Sequence, residues 1–403
     1  MFPKPSLNNI KFLSPRRNYV ANKSQKLIKG FDTETLNGYC KILADNSTSV
    51  TTDGIADVLS FLCRKENRST LNFFYNLTFD AEVMLKHDMA ILRQLARTGK
   101  AEQQGFCFRY IPKKCLTVRD SNRNTYKFYD IAQFFSCSLA AASEKYLNEK
   151  PHELKTERGT LFENHSLEKI KEYCKDDASK TQRLAQFLFK TFSETGLVVN
   201  KPYSAGYVSQ EYALRFASVP CCFDLPPIVA KLYWLAYRGG WFDTYKRGVL
   251  NITSYDISSA YTAAMLKLQD IRQGRWKRGI EDKSSMGVVL AEISGNLDRC
   301  NPIAVKQRSG NIYPLFDKPH KTALTLQEYF ALKETLEIKE IMAYSFIPND
   351  KVRMPYSSLI EKLYGIKQSF SSSDARYLTA KLILNSLYGK TAQLTKLGNS
   401  IIA

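Results

Sequence analysis

The sequence predicts a mixed α/β (α+β) fold built from more than one domain, on three observations. Apolar runs of strand length pass straight into helix-patterned segments through polar junctions, as at Lys26 to Phe31 and Leu71 to Tyr75. Two further strand-like stretches, Cys115–Arg119 and Thr125–Asp130, flank a polar turn over residues 120–124. Near the C-terminus two helix-patterned segments are separated by a polar break at Ser371 to Asp374. With 403 residues, 44% of them apolar and 24% charged, the chain has the makeup of an ordinary globular protein and the length for two or three domains.

Charge narrows the function. There are 58 Lys and Arg against 39 Asp and Glu, a formal net charge of +19. An excess of that size over folded domains points to a polyanionic partner, with nucleic acid first among them. A membrane is disfavoured, because no apolar run approaches the roughly 18 residues a spanning helix needs. Nine cysteines include no CxxC pair, and no secretory leader opens the chain, so the thiols are expected to be reduced in a cytosol-like compartment. Only four scattered histidines are present, which argues against a His-built zinc site. Any metal should be held by carboxylates, favouring Mg²⁺ or Mn²⁺.

In chain order, residues 1–25 read as a basic arm. The strand Lys26 to Phe31 ends in Asp32-Thr33-Glu34-Thr35, where Asp32 and Glu34 share a face and can converge on one metal. The second strand enters Asn76-Leu77-Thr78-Phe79-Asp80 and a helix expected to run to about Arg97. This sets Asp80 at a strand-to-helix junction, a common place for catalytic groups in α/β sheets. Ser166 is the expected cap of a helix reaching about Phe192, on which Tyr173 and Asp177 lie four apart on one face. Asp176 is the rival, about 100° away around the helix.

From about Ser193 the composition becomes richer in Tyr, Pro and Gly. A helix-like run from Ala230 to Ala236 ends at Tyr237-Arg238-Gly239-Gly240. A strand is expected up to Asp256, then a turn into a helix carrying Tyr261, and Gly287 to Ile293 is strand-like. The closing pair of helices is expected at Ser357 to Phe370 and Ala375 to Lys390. In the second, Leu378, Leu382 and Leu387 form an apolar face opposite Lys381, Asn385 and Tyr388, and Gly389 leaves room for close approach.

The string from Lys381 to Gly389 resembles the KxxxNSxYG fingers motif of family B DNA polymerases. In that family the lysine grips the phosphates of the incoming nucleotide, while the Asn and Tyr pack against its base and the template. Upstream motifs occur in the family's order. Asp32-x-Glu34, Asn76-x-x-Phe79-Asp80 and Tyr173-x-x-x-Asp177 resemble the three boxes of a DEDDy 3′–5′ exonuclease, which has a ribonuclease H-like sheet. The resemblance implies that Asp32, Glu34, Asp80 and Asp177 hold two divalent cations (Mg²⁺ or Mn²⁺), roughly 3.5–4 Å apart. Tyr173 would orient the attacking water, and Asn76, Phe79 and the pair Ser138-Leu139 would hold the single strand. Tyr237, Gly239 and Gly240 match the YxGG segment that touches DNA. Asp256 to Tyr261 is similar to the palm motif DxxSLYP, with Asp256 as metal ligand and Tyr261 beneath the sugar; Ala260 and Thr262 depart from it.

The implied layout is a DEDDy exonuclease domain over 26–195, a partial palm over 196–275 and helical-hairpin fingers over 357–403. Residues 276–356 fit an insertion that, in the protein-primed branch, contacts a terminal protein. The resemblance implies a protein-primed replicative DNA polymerase with proofreading, its partners DNA, dNTP and terminal protein. Its location would be cytoplasmic, the host cytosol if virus- or plasmid-borne, with an organelle as the alternative. The family's second palm carboxylate has no counterpart in residues 391–403, which contain no acidic residue. A fragment, or one half of a split polymerase completed by a second chain carrying that motif and a thumb, is therefore expected. The alternatives are a stand-alone DEDDy exonuclease with a polymerase-derived DNA-binding module, or a non-enzymatic nucleic-acid-binding protein.

Overall fold

The computed structural model describes residues 10–11, 24–157, 159–240, 246–295, 303–307, 310–312, 316–391, 395–397 and 400–402. The basic arm assigned to 1–25 lies, apart from 10–11 and 24–25, outside the described residues. Two compact units result: residues 20–213 with 361–390, and residues 214–360 with both chain ends.

The first unit is organised by an eight-stranded sheet. Its strands are β1 (Ile28–Leu36), β2 (Tyr39–Asp45), β3 (Ser49–Thr51), β4 (Leu71–Phe74), β5 (Lys100–Gln103), β6 (Phe106–Ile111), β7 (Cys115–Arg119) and β8 (Thr125–Asp130). Their order is β3-β2-β1-β4-β8-β7-β6-β5. The central β1, β4 and β8 run parallel, and antiparallel hairpins extend both edges. One face is a packed core with α1 (Ile55–Leu62), α2 (Leu77–Leu85) and α3 (Met89–Thr98). At its centre Phe31, Phe74 and Phe128 meet with ring centroids 5.4 to 6.0 Å apart. Against the other face lies the long α4 (Leu167–Glu194), which buries Ile170, Tyr173 and Cys174 with Ile42 and Ala44 of β2.

The single helix expected to reach Arg97 is two. It breaks after Leu85, and the Asp88 side chain caps α3 by accepting from the backbone N–H groups of Ala90 and Ile91. Helix Ala375–Thr391 follows its expected range. Its buried set, however, is Leu378, Thr379, Ala380, Ile383, Leu384 and Leu387, with Leu382 only half-buried. The Ser209 hydroxyl reaches the Ile383 carbonyl at 3.2 Å, which draws the Ile383–Leu384 side of the helix inward.

The second unit is built on the antiparallel strands β9 (Gly274–Arg278), β10 (Gly287–Gly295), β11 (Phe316–Thr325) and β12 (Glu337–Pro348), in the order β9-β12-β10-β11. Strand β10 is buried on both faces. Val288 and Leu290 pack with Val229, Leu232 and Ala236 of helix Pro227–Ala236, while Val289, Ala291 and Ile293 pack with Leu326, Leu332 and Leu336. The strand expected up to Asp256 is absent. Residues 246–257 are irregular, and Ile252, Tyr255 and Ile257 are 84%, 91% and 78% exposed. β-propensity is realised only when a partner strand accepts the backbone, and no described strand pairs here. No helix among the described residues is long and apolar enough to cross a membrane.

Candidate active site

Three elements of the first unit carry the candidate residues. On β1 the strand alternation turns Phe31 and Thr33 into the core and leaves Gly30, Asp32 and Glu34 on the α4 face. Gly30 fixes how close α4 comes. A Cβ there would lie 1.9 Å from the Ala178 carbonyl oxygen and 2.5 Å from the Gln182 nitrogen, both rigid helix backbone. Only glycine allows this approach, and it brings the turn bearing Asp177 directly over the strand bearing Asp32 and Glu34. Gly30→Ala is expected to cost about 3 kcal/mol or more by overpacking, measured by urea unfolding.

The second element is the β4–α2 junction. Asn76 adopts the left-handed conformation (φ 71°) that turns the chain from strand into helix, leaving Asn76 and Phe79 exposed and Asp80 pointing inward at 2% exposure. The Thr33 hydroxyl donates to Asp80 at 2.7 Å. Burial nevertheless raises the Asp80 carboxyl to about 8, opposed by the Thr33 hydrogen bond and reinforced by the negative charge of Asp130. Asp130, at the end of β8, accepts from the backbone N–H groups of Ala132 (2.9 Å) and Asn76 (3.3 Å) and so pins this junction to the sheet.

The third element is α4, opened by the Ser166 cap, whose side chain accepts from the Lys169 N–H. The Tyr173 hydroxyl donates to Asp177, and burial followed by the charges of Asp177, Glu34 and Asp32 raises the phenol, so it stays protonated. Asp32 is held well above the usual carboxylate range by burial, then by Asp177, Asp80 and Glu34. These are the four carboxylates that the sequence motifs single out, within electrostatic reach of one another. The Cys174 thiol donates to Asp32 at 3.8 Å, itself raised by burial and by that carboxylate. Asp177, not Asp176, is the helix carboxylate that Asp32 feels; Asp176 is the more exposed, at 37% against 17%.

Lys180, 5% exposed, ties this edge together, 2.5 Å from Asp176 and 3.4 Å from Asp177. Replacing it with Met would strand two partly buried carboxylates without their cation. We expect a loss of about 1–3 kcal/mol in denaturant unfolding, below the fully buried limit because Asp176 reaches solvent. Sequence reasoning passed over Gly30, Thr33, Asp130, Cys174 and Lys180. Only Lys180 left a readable signal, standing three and four residues after two aspartates on a helix.

Among the described residues, no three His, Cys, Asp or Glu side chains converge closely enough to hold one ion as they stand. The donor chemistry fits a hard divalent cation, because the candidate residues Asp32, Glu34, Asp80 and Asp177 all offer carboxylate oxygens. Ser138 is exposed and caps the single turn Leu139–Ala142 by accepting from the Ala141 N–H; Leu139 is half-buried.

The remaining candidates divide between the units. In the second, Asp256 and Tyr261 are exposed, and Gly239 takes a left-handed φ of 78° beside the exposed Gly240. Between Tyr237 and Gly239, Arg238 anchors the segment to Glu328 (2.9 Å) and to the Ala323 carbonyl (2.5 Å). In the first, Lys381, Asn385 and Gly389 are exposed and Tyr388 half-buried along one helix.

The chain has the fold of a DNA polymerase. Phi29 DNA polymerase in an orthorhombic crystal form matches with a TM-score of 0.61 at 16% identity, over 92% of this chain and 69% of that one. The same enzyme complexed with single-stranded DNA matches at 0.57 and 15% identity, over 92% of this chain and 68% of that one. Its ternary complex with primer-template DNA and incoming nucleotide substrates matches at 0.56 and 17%, over 93% and 69%. The chain belongs to the family of type B DNA polymerases, organellar and viral, whose model matches residues 39–402. That range contains Asp80, Tyr173 and Asp177 and starts after Asp32 and Glu34. A probable DNA polymerase of Ascobolus immersus is 31% identical over 173 residues, covering 40% of this chain and 14% of that protein.

Proposed function

We propose that this chain supplies the 3′–5′ exonuclease, partial palm and fingers of a protein-primed family B DNA polymerase, and that its first unit removes nucleotides from single-stranded 3′ ends. The observation that supports this reading is that Asp32 and Glu34 on β1, Asp80 after β4 and Asp177 on α4, drawn from three separate motifs, lie within electrostatic reach of one another. Those four would hold Mg²⁺ or Mn²⁺. When bound, such paired cations activate the attacking water and stabilise the leaving 3′ oxygen. Tyr173, protonated and donating to Asp177, would orient the attacking water by accepting a hydrogen bond from it on the phenol oxygen. Lys180 keeps Asp177 from swinging outward, and Gly30 sets the spacing between strand and helix.

Asn76 and Phe79 would receive the strand, Phe79 by stacking a base on its 49% exposed ring. Phe79→Ala should weaken binding of a single-stranded oligonucleotide by about 1–3 kcal/mol, measured by anisotropy in EDTA. Lys381, Asn385, Tyr388 and Gly389 would contact the incoming dNTP, with Asp256 and Tyr261 serving the palm. Tyr237, Gly239 and Gly240 would follow the DNA, with Ser138 and Leu139 beside the exonuclease strand. The segment 276–356 would meet a terminal protein, and a second chain or segment would complete the palm, in the cytosol of the host cell or in an organelle.

The irregular, exposed segment carrying Asp256 favours one second reading, an exonuclease whose polymerase-like half serves as a DNA platform. The test is a 5′-labelled single-stranded oligonucleotide incubated with the chain and Mg²⁺ or Mn²⁺. Stepwise shortening from the 3′ end supports both readings, and primer extension that appears only when a chain or segment supplying the rest of the palm is added separates them. Persistence of the intact oligonucleotide with either ion overturns both.

A further inference from the structure

Asp32, Glu34 and Asp80 lie toward the C-terminal ends of the parallel strands β1 and β4, where α/β sheets place their chemistry. The opposite ends of the same strands carry a different feature. Lys26 precedes β1, Leu71 opens β4 and Thr125 opens β8, and the register pairs Ile28 with Leu71 and Asn72 with Phe128, so these starts lie side by side. Two adjoining clefts of about 480 and 350 Å³ open there, and they share Arg68 and Thr125. Lys65, Arg68 and Arg123 line the first, and Lys26, Arg68, Lys127 and Lys201 the second; neither has an acidic residue in its wall. At about 3.3 Å per residue, β4 alone sets this groove some 10 Å from the catalytic edge.

The six cations have no acidic partner in any ion pair found among the described residues. The acids nearest in sequence, Glu66, Asp120 and Asp130, are occupied elsewhere, Asp130 by the backbone N–H groups of Ala132 and Asn76. Glu66 faces Lys29 (3.9 Å) and Arg64 (3.4 Å), and Asp120 accepts from Asn124 and Tyr126 within its own turn. A basic groove built to bind single strands also offers exposed aromatic rings for bases to stack on. Here the only aromatic in the wall, Tyr129, is 2% exposed, unlike the open Phe79 at the catalytic edge.

We propose that this groove is a second nucleic-acid contact, which grips the sugar–phosphate backbone of duplex DNA independently of the carboxylate site. It reads charge and not sequence, because lysines and arginines without base-stacking rings neutralise phosphates and release counterions. The proposal does not need the nuclease reading to hold, since binding is measured without divalent ions.

The test is binding of a labelled blunt-ended duplex of about thirty base pairs, in EDTA, across roughly 50–200 mM salt. The quadruple variant Lys65→Ala, Arg68→Ala, Arg123→Ala, Lys127→Ala is compared with Lys283→Ala, Lys333→Ala, Lys339→Ala, Lys351→Ala, which removes the same charge from exposed positions of the other unit. Circular dichroism checks that both remain folded. The groove variant should bind at least about tenfold more weakly, and its slope of log affinity against log salt should fall by about 3 to 4. Binding of a single-stranded oligonucleotide should change much less. An unchanged slope, an equal loss in the control variant, or a loss confined to the single strand would each overturn the proposal.

Discussion

Asp32→Ala combined with Glu34→Ala is expected to lower Mg²⁺-dependent trimming of a single-stranded oligonucleotide by roughly 10³-fold or more, equivalent to at least about 4 kcal/mol of transition-state stabilisation. The variant should stay folded, because neither carboxylate contributes to the core of Phe31, Phe74 and Phe128. Its metal-free form should even be more stable than the parent, since two members of a mutually repelling set are gone. A purely structural role for the pair predicts the reverse, with activity and melting temperature falling together. Single-turnover digestion read beside thermal unfolding separates the two.

The second large effect is on stability against pH. The Asp80 carboxyl is raised from 3.8 to about 8 in the folded chain, mainly by burial. Between those values the folded state keeps a proton that the unfolded state has lost, so stability falls as pH rises through this window and the cost is complete above it. Asp80→Asn removes the titration and can still accept the Thr33 hydroxyl. Its metal-free melting temperature should therefore exceed that of the parent near pH 8 and match it near pH 4, with about 2–4 °C for each kcal/mol relieved. Mg²⁺ should stabilise the parent more at pH 8 than at pH 5, and should do little for the variant. A melting temperature of the parent that rises from pH 5 to pH 8 without metal would contradict the assignment of the shift to Asp80. The more stable variant is also expected to be the inactive one, the usual trade when charge repulsion is kept for function.

Much of this arrangement is legible in the sequence because each box pairs a local rule with a particular side chain. Alternation on a strand puts Asp32 and Glu34 on one face, and helical spacing does the same for Tyr173 and Asp177. The limits of β7 and β8 follow from the polar turn between them. What was missed has physical causes. Strand β2 is buried on both faces and shows no alternation, although Asn37-Gly38, with φ of 53° and 76°, is a strong two-residue hairpin signal. Its counterpart Gln104-Gly105 joins β5 to β6 with similar angles. The break between α2 and α3 turns on one capping side chain, Asp88, inside an otherwise continuous apolar pattern. The expected strand before Asp256 has the right residues and lacks a partner. Gly30 is silent in one dimension, because its role is defined by a helix that arrives nearly 150 residues later.

The central claim is that four carboxylates from distant parts of the chain form one divalent-cation site. Titration of Mn²⁺ into the metal-free chain near neutral pH, followed by electron paramagnetic resonance of the free ion, tests it most directly. Saturable uptake that disappears in the Asp32→Ala, Glu34→Ala variant and weakens in Asp177→Ala, while Asp176→Ala binds as the parent does, is the predicted result. Uptake unaffected by those substitutions, or none in the parent, would contradict it.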